Sequence, residues 1–130
     1  MTKKILAEIS VGELLDKISI LEIKKKKIMD KKKLIFINNE YKILNKIRKK
    51  MKLKKKINFF YKQLKKANQA LWNIENKIRV HEKSRKFDKN FISLARKVYK
   101  TNDKRSIIKL KINTFMGSNI VEMKSYSKYL

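Results

Sequence analysis

The spacing of hydrophobic positions along the chain predicts helices rather than strands. Apolar residues recur every three or four positions over long stretches, which places their side chains on one face of an α-helix. Residues that form tight turns are scarce, with two glycines and no proline among 130 residues. We therefore expect an all-α fold, a single-domain antiparallel bundle of four to five helices over residues 1–130. A long helical hairpin is predicted at about residues 31–86.

The first helix is predicted to begin at Ser10, which can form a capping box with Glu13. One face of this helix is apolar, and Glu22 projects onto the middle of that face, where an unpaired carboxylate is costly. Asp16 and Lys17 project away from it. The apolar positions are Val11, Leu14, Leu15, Ile18 and Leu21. Glu22 is therefore expected to need a partner inside the protein.

The third predicted helix has the most regular apolar stripe, with spacings that alternate between four and three as in a coiled coil. Its positions are Phe60, Leu64, Ala67, Leu71, Ile74 and Ile78. Glu82 and Arg85 continue the stripe and His81 lies at its edge, so the same face becomes polar. Trp72 projects off the stripe. It can serve as a second packing face or as a platform on which a base or a sugar stacks.

Capping residues predict the other helix boundaries. Asp30 is expected to cap the second helix and Asp88 the fourth. Residues 101–103 are predicted to cap a further helix, which Gly117 would end. Residues 118–130 are predicted to form an irregular tail.

The net charge is +26, with 32 lysines and five arginines. Lysine, isoleucine and asparagine make up 61 residues, as in proteins from AT-rich genomes, so the lysine excess alone is weak support for a nucleic-acid function. The basic region 23–74 is either a solvated hairpin enriched in lysine by coding or a face for a polyanion or a membrane surface. Weak non-specific polyanion binding is expected in both cases. The candidate nucleic-acid residues are Lys49, Lys50, Lys52, Lys54, Lys55, Lys56, Lys62, Lys65 and Lys66.

Several classes of site are disfavoured by composition. The chain contains no cysteine, which excludes disulfides and thiolate metal sites, and its one histidine argues against a zinc site. No cofactor or metal is predicted. The N-terminus begins like a signal peptide, but Glu8 and Glu13 interrupt the apolar run, and residues 3–9 are predicted as a short extended lead-in. No transmembrane segment is expected, and a cytoplasmic location is predicted.

Four of the five arginines lie within one window of 27 residues, and arginine kept in a lysine-rich chain indicates a need for its planar, five-donor group. Arg79 and Arg85 each have a carboxylate three or four positions away, whereas Arg96 and Arg105 have none. Arg105 lies beside the apolar face of the last helix. A Glu22–Arg105 or Glu22–Arg85 pair is therefore predicted. Such charged groups could form an internal network, a ligand pocket or a catalytic centre.

Three stretches carry a resemblance to a known family. They are SVGELLDK at residues 10–17 with LEIK at 21–24; LWNIE at 71–75 through TNDKR at 101–105; and residues 117–118 with VEMKSY at 121–126. Together they resemble a small uncharacterised family of bacterial and bacteriophage proteins, a domain of unknown function sometimes encoded near surface-polysaccharide (lipopolysaccharide) biosynthesis genes. The resemblance implies no established activity, but it suggests a sugar phosphate or a nucleotide sugar as the ligand.

The sequence therefore predicts a non-enzymatic or accessory protein that binds a small anionic ligand or a protein partner, with a homodimer as an open alternative. The predicted ligand-binding residues are Glu22, Glu82, Arg85, Arg96, Asn102 and Arg105. The first alternative is a nucleic-acid-binding module that uses the lysine-rich face at residues 24–66. The second is an enzyme acting on an activated sugar, with Glu82 or His81 as general base. No catalytic residue is assigned, because His81, Glu82 and Ser84 lie within one turn without an orienting group.

Overall fold

The structure is a computed structural model that describes residues 3–129. The fold of these residues consists of four α-helices. They are α1 (Val11–Lys27), α2 (Lys31–Met51), α3 (Lys55–Ser84) and α4 (Lys89–Met116). No strand occurs among residues 3–129. The helices pack into a bundle. The predicted all-α class and bundle are confirmed.

Local capping chemistry sets the helix starts that the sequence indicated. The Ser10 hydroxyl accepts a hydrogen bond from the backbone N–H of Glu13 at 3.1 Å. The Asp30 and Asp88 carboxylates accept from backbone N–H groups of the first turns of α2 and α4. Each cap satisfies a backbone donor that has no partner within its own helix. Gly117 ends α4 in the left-handed conformation, with φ of 64°.

The predicted helix boundary at residues 101–103 is wrong, because α4 runs through it without interruption. The polar side chains of these residues form hydrogen bonds with other side chains instead of capping the first turn of a new helix. The Asn102 carbonyl oxygen accepts from Nη1 of Arg105 at 3.2 Å. The Asp103 carboxylate interacts with the Tyr129 hydroxyl and raises the pKa of that tyrosine. The described part of the chain therefore forms four helices, the lower of the two predicted numbers.

The packing is organised around α1, which contacts each of the other three helices. Fully buried side chains from α1, α3 and α4 form the core, namely Leu15, Ile57, Leu64 and Ile112. The region 31–86 holds α2 and α3, but the extensive helix pairing is between α3 and α4, whereas α2 packs along α1. No residue of α2 is buried. It reaches α3 where the Arg48 guanidinium lies 5.0 Å from the Tyr61 ring centre.

Because α1 is central, it buries two faces rather than one. The first is the predicted apolar stripe. The second carries Gly12, Asp16 and Ser19 at spacings of four and three, and all three are buried. The prediction that Asp16 projects away from the core is therefore wrong: Asp16 is 2% exposed. Its burial depends on α4 and α3 covering that side of α1.

The segments that flank the helices, residues 3–9 and the tail from residue 118 to residue 129, lack regular secondary structure. The tail nevertheless contacts the bundle. The Tyr129 ring lies edge-on to Tyr99 with centres 5.2 Å apart, and the Ser118 hydroxyl accepts from the Val11 N–H at 3.3 Å. Residues 1, 2 and 130, which the predicted domain and tail include, lie outside the described residues. Within residues 3–129, none of the helices has the length and apolar character needed to cross a bilayer.

Candidate functional site

A row of buried or half-buried polar residues joins three helices, and we call it the polar seam. Apart from the adjacent Gly12 and Glu13, its members on α1 and α4 lie three or four residues apart, along facing sides of two antiparallel helices. The members are Gly12, Glu13, Asp16 and Ser19 of α1, Asn68 of α3, and Arg105, Lys109 and Asn113 of α4. The seam runs beside the apolar core and places opposite charges together.

The centre of the polar seam is a bidentate ion pair between Asp16 and Arg105. Nη2 of Arg105 donates to Oδ2 of Asp16 at 2.6 Å, and Nε donates to Oδ1 at 3.0 Å. The side-chain amide of Asn68 donates to Oδ1 of Asp16 at 2.8 Å and to the Ser19 hydroxyl at 2.7 Å. Because both carboxylate oxygens are bonded, the charge of Asp16 is satisfied despite its burial.

Lys109 extends the seam toward the C-terminal tail. Its ammonium lies 2.7 Å from Glu13, 3.5 Å from Asp16 and 3.6 Å from Glu122. Lys17 and Lys124 add positive charge at 3.7 Å from Glu13 and at 3.8 Å from Glu122, respectively. Three carboxylates are thus matched by cations, including the Arg105 guanidinium. The seam can therefore hold its members together without an additional ion.

The pKa values in the seam reflect this pairing. Burial opposes ionisation of Asp16, but the hydrogen bonds from Arg105 and Asn68 and the charges of Arg105 and Lys109 outweigh it and hold the pKa of Asp16 below its ordinary value. Burial likewise disfavours the charged form of Lys109, but the Glu13 hydrogen bond and the nearby carboxylates raise the pKa of Lys109 above its ordinary value.

The lowered pKa of Asp16 predicts how stability depends on pH. A depressed carboxylate pKa contributes stability above its unfolded-state value of 3.8, and this contribution is lost as the pH falls through the folded-state pKa. Urea unfolding of the wild type and of Asp16→Asn, from about pH 6 to about pH 2, should show the difference in free energy of unfolding shrinking below about pH 4. A difference that stays constant at low pH would contradict this assignment.

Beside the polar seam, a groove of about 570 Å³ opens between α1, α3 and α4. Its wall carries cations, side-chain amides and one tryptophan, including Lys24, Trp72, Asn76, Arg79, Asn102 and Arg105. Arg79 lies 3.8 Å from Glu75, the local partner expected from the sequence. Three of the five guanidinium N–H donors of Arg105 are used by Asp16 and Asn102. Two donors remain on a side chain that is 25% exposed.

The structure places only part of the predicted ligand-binding set at this groove. Asn102 and Arg105 line it together. The predicted pairing of Glu22 with Arg105 or Arg85 is wrong, because the carboxylate beside Arg105 is Asp16. Glu22 lies 3.8 Å from Lys65, and its Oε1 is buried without a hydrogen-bond partner.

The remaining predicted residues, Glu82, Arg85 and Arg96, are solvent-exposed and do not line the groove. Arg85 ends α3 in the left-handed conformation, with φ of 52°. Arg96 and Arg105 are nine residues apart on one helix, which puts them on opposite sides of α4 and about 13 Å apart along its axis. His81 binds the backbone near the end of α3, with Nδ1 2.9 Å from the carbonyl oxygen of Lys86.

The lysines of the nucleic-acid alternative surround the connection between α2 and α3. All of them are exposed except Lys65, which is half-buried beside Glu22. The Lys56 ammonium lies 5.3 Å from the Phe115 ring centre. These lysines present positive charge to solvent, and the exposed Phe59 lies between Lys56 and Lys62 in the sequence.

Sequence reasoning missed Asp16, Lys24, Asn68 and Lys109. A pattern for part of this set is present: Gly12, Asp16 and Ser19 recur on α1, and positions 105, 109 and 113 recur every four residues on α4. Two polar stripes of opposite charge on separate helices are a complementary pair. Projecting each helix against its own apolar face does not reveal such a pair.

The fold and the site define a helical bundle with a buried polar seam and an adjoining cationic groove. The chain belongs to a family of unknown function, DUF6165, whose pattern matches residues 5–130. No match was found among curated proteins or among solved structures.

Proposed function

We propose that this protein binds a small anionic ligand in the groove between α1, α3 and α4. The observation that carries the proposal is Arg105, which the buried Asp16 carboxylate holds in place while two of its N–H donors remain unused. A guanidinium fixed in this way loses little conformational freedom when it binds an anion. The groove provides room for such a ligand beside it.

The other groove residues favour a phosphorylated ligand that carries a ring. Lys24 and Arg79 add two cations to that of Arg105. Glu75 offsets Arg79 and Asp16 offsets Arg105, so one net positive charge remains. Trp72 is half-buried in the same wall and can stack on a base or on the apolar face of a sugar. A nucleotide sugar or a sugar phosphate combines these features. The resemblance to a family whose members are sometimes encoded near surface-polysaccharide genes supports the same class.

Titration of the purified protein with nucleoside diphosphate sugars, sugar phosphates and inorganic phosphate tests the proposal. Trp72 is the single tryptophan, so its fluorescence reports on the groove directly. Arg79→Gln should weaken binding by at least about tenfold, because a charge-assisted hydrogen bond contributes about 1.5–3 kcal/mol. Trp72→Phe, followed by calorimetry, should weaken a ring-bearing ligand more than inorganic phosphate.

Arg96→Gln is the matched control, since it removes the same charge from an exposed position outside the groove. Equal losses from Arg79→Gln and Arg96→Gln would show that net charge alone attracts the ligand, and would contradict the proposal. Native mass spectrometry adds an independent result. A discrete bound mass supports the groove, whereas heterogeneous nucleic acid that salt removes supports the lysine-rich face.

A further inference from the structure

The outer face of α2 combines exposed hydrophobic residues with a high positive charge. Phe36, Ile43 and Ile47 are 75%, 57% and 47% exposed. Their spacings of seven and four residues place them on one side of the helix, over about 16 Å of its length. Lys32, Lys46 and Lys50 are exposed beside this stripe. We call the three apolar residues Phe36, Ile43 and Ile47 the outer stripe.

The other side of α2 is already occupied. Its half-buried residues face α1, where the Tyr41 ring lies 4.1 Å from the Lys25 ammonium. The outer stripe is therefore not part of the core, and the described residues leave all three of its side chains exposed to solvent. An aromatic and two branched aliphatic side chains on one exposed face constitute an apolar surface that water solvates poorly.

Charge decides which kind of partner fits this surface. Within α2, eight residues are basic and Glu40 is the single acid. A second copy of the chain would bring like charges together, which disfavours self-association through this face. A nucleic acid would neutralise the lysines, but its phosphate backbone offers nothing for isoleucines to bury against. An anionic bilayer offers phosphate headgroups for the lysines and acyl chains for the outer stripe.

We propose that α2 lies flat on anionic lipid bilayers, with Phe36, Ile43 and Ile47 inserted among the acyl chains and Lys32, Lys46 and Lys50 at the headgroups. The bundle itself stays outside the bilayer, since α2 is its peripheral helix and packs along α1. This surface is separate from the groove between α1, α3 and α4. The two proposals therefore succeed or fail independently.

Vesicle flotation tests the proposal with two lipid compositions, pure phosphatidylcholine and phosphatidylcholine with about one third phosphatidylglycerol, at ~0.15 M salt. The wild type should float with the anionic vesicles and remain behind with the neutral ones. The triple variant Phe36→Ser, Ile43→Ser, Ile47→Ser should partition at least roughly tenfold less, although its charge is unchanged. Its thermal unfolding should match that of the wild type, because none of the three residues is buried.

Two controls separate insertion from general electrostatic attraction. Val80→Ser, Phe87→Ser, Ile92→Ser removes three similarly exposed apolar side chains elsewhere and should leave flotation unchanged. Lys32→Gln, Lys46→Gln, Lys50→Gln should reduce flotation more than the same change at three exposed lysines of α4, Lys100, Lys104 and Lys111. Undiminished flotation of the outer-stripe variant, equal losses from both lysine sets, or no wild-type flotation would overturn the proposal.

Discussion

Replacing Asp16 with asparagine is expected to lower the free energy of unfolding by about 3 kcal/mol at neutral pH. The change keeps the size of the side chain but removes the charge that Arg105 and Lys109 face. The positive charges of Lys109 and Arg105 would then lie close together in a half-buried site without the carboxylate that compensates them. Chemical denaturation of both proteins, followed by circular dichroism, measures the difference. A loss below about 1 kcal/mol would show that the buried ion pair contributes little.

Glu22→Gln is the matched control for Asp16→Asn, because it also neutralises an acid on α1. Glu22 has a single cation, Lys65, at 3.8 Å, and one of its carboxylate oxygens makes no hydrogen bond. The expected change in the free energy of unfolding is within about 1 kcal/mol. If Glu22→Gln destabilises the protein as much as Asp16→Asn does, the polar seam is not the main electrostatic contribution to the fold.

Replacing Gly12 with alanine is expected to destabilise the protein by about 2 kcal/mol, although alanine is the better helix former by about 1 kcal/mol. A Cβ at this position would lie 2.8 Å from Oδ1 of Asn113 and 2.8 Å from the backbone oxygen of Lys109. The Gly12 N–H also donates to Asn113 at 2.7 Å, so moving that side chain breaks a buried hydrogen bond. Helices α1 and α4 must therefore separate. Thermal and urea unfolding measure the loss.

The same change at Gly117 serves for comparison. No atom lies within 4 Å of a Cβ built there, but φ is +64°. Gly117→Ala should therefore cost about 1–2 kcal/mol through backbone strain alone, without disturbing the seam. The pH dependence of stability distinguishes the two variants, because only Gly12→Ala alters the surroundings of Asp16. A stable Gly12→Ala protein would show that the contact between α1 and α4 is looser than the distances indicate.

Features governed by neighbouring residues could be predicted from the sequence. The caps at Ser10, Asp30 and Asp88 require only a side chain and a backbone N–H two or three residues away. The scarcity of glycine and proline correctly indicated a few long helices. The prediction of a helix start at residues 101–103 was wrong, because a residue type that caps helices can also hydrogen-bond to another side chain within a helix, as Asn102 does with Arg105.

Features that depend on distant residues could not be predicted. Projection ranks each position against the apolar face of its own helix, so it placed Glu22 inside and Asp16 outside. Arg105 was recognised as needing a buried acid, which is correct. The identity of that acid depends on which side of α1 meets α4, and this is set by packing among three helices. The repeat of Gly12, Asp16 and Ser19 marks a second face of α1, but it does not specify which helix covers that face.

The polar seam also has a consequence for the order of folding. Its hydrogen bonds between α1 and α4 join pairs of residues that are separated by 101, 96 and 89 positions in the chain. At a synthesis rate of about 5–20 residues per second, α1 is made roughly 5–20 s before the part of α4 that it binds. During that interval α1 can pair with α2, which follows after a three-residue connection. The arrival of Arg105, Lys109 and Asn113 then supplies the charged partners of Asp16, which before that point can receive a hydrogen bond only from the Asn68 amide of α3.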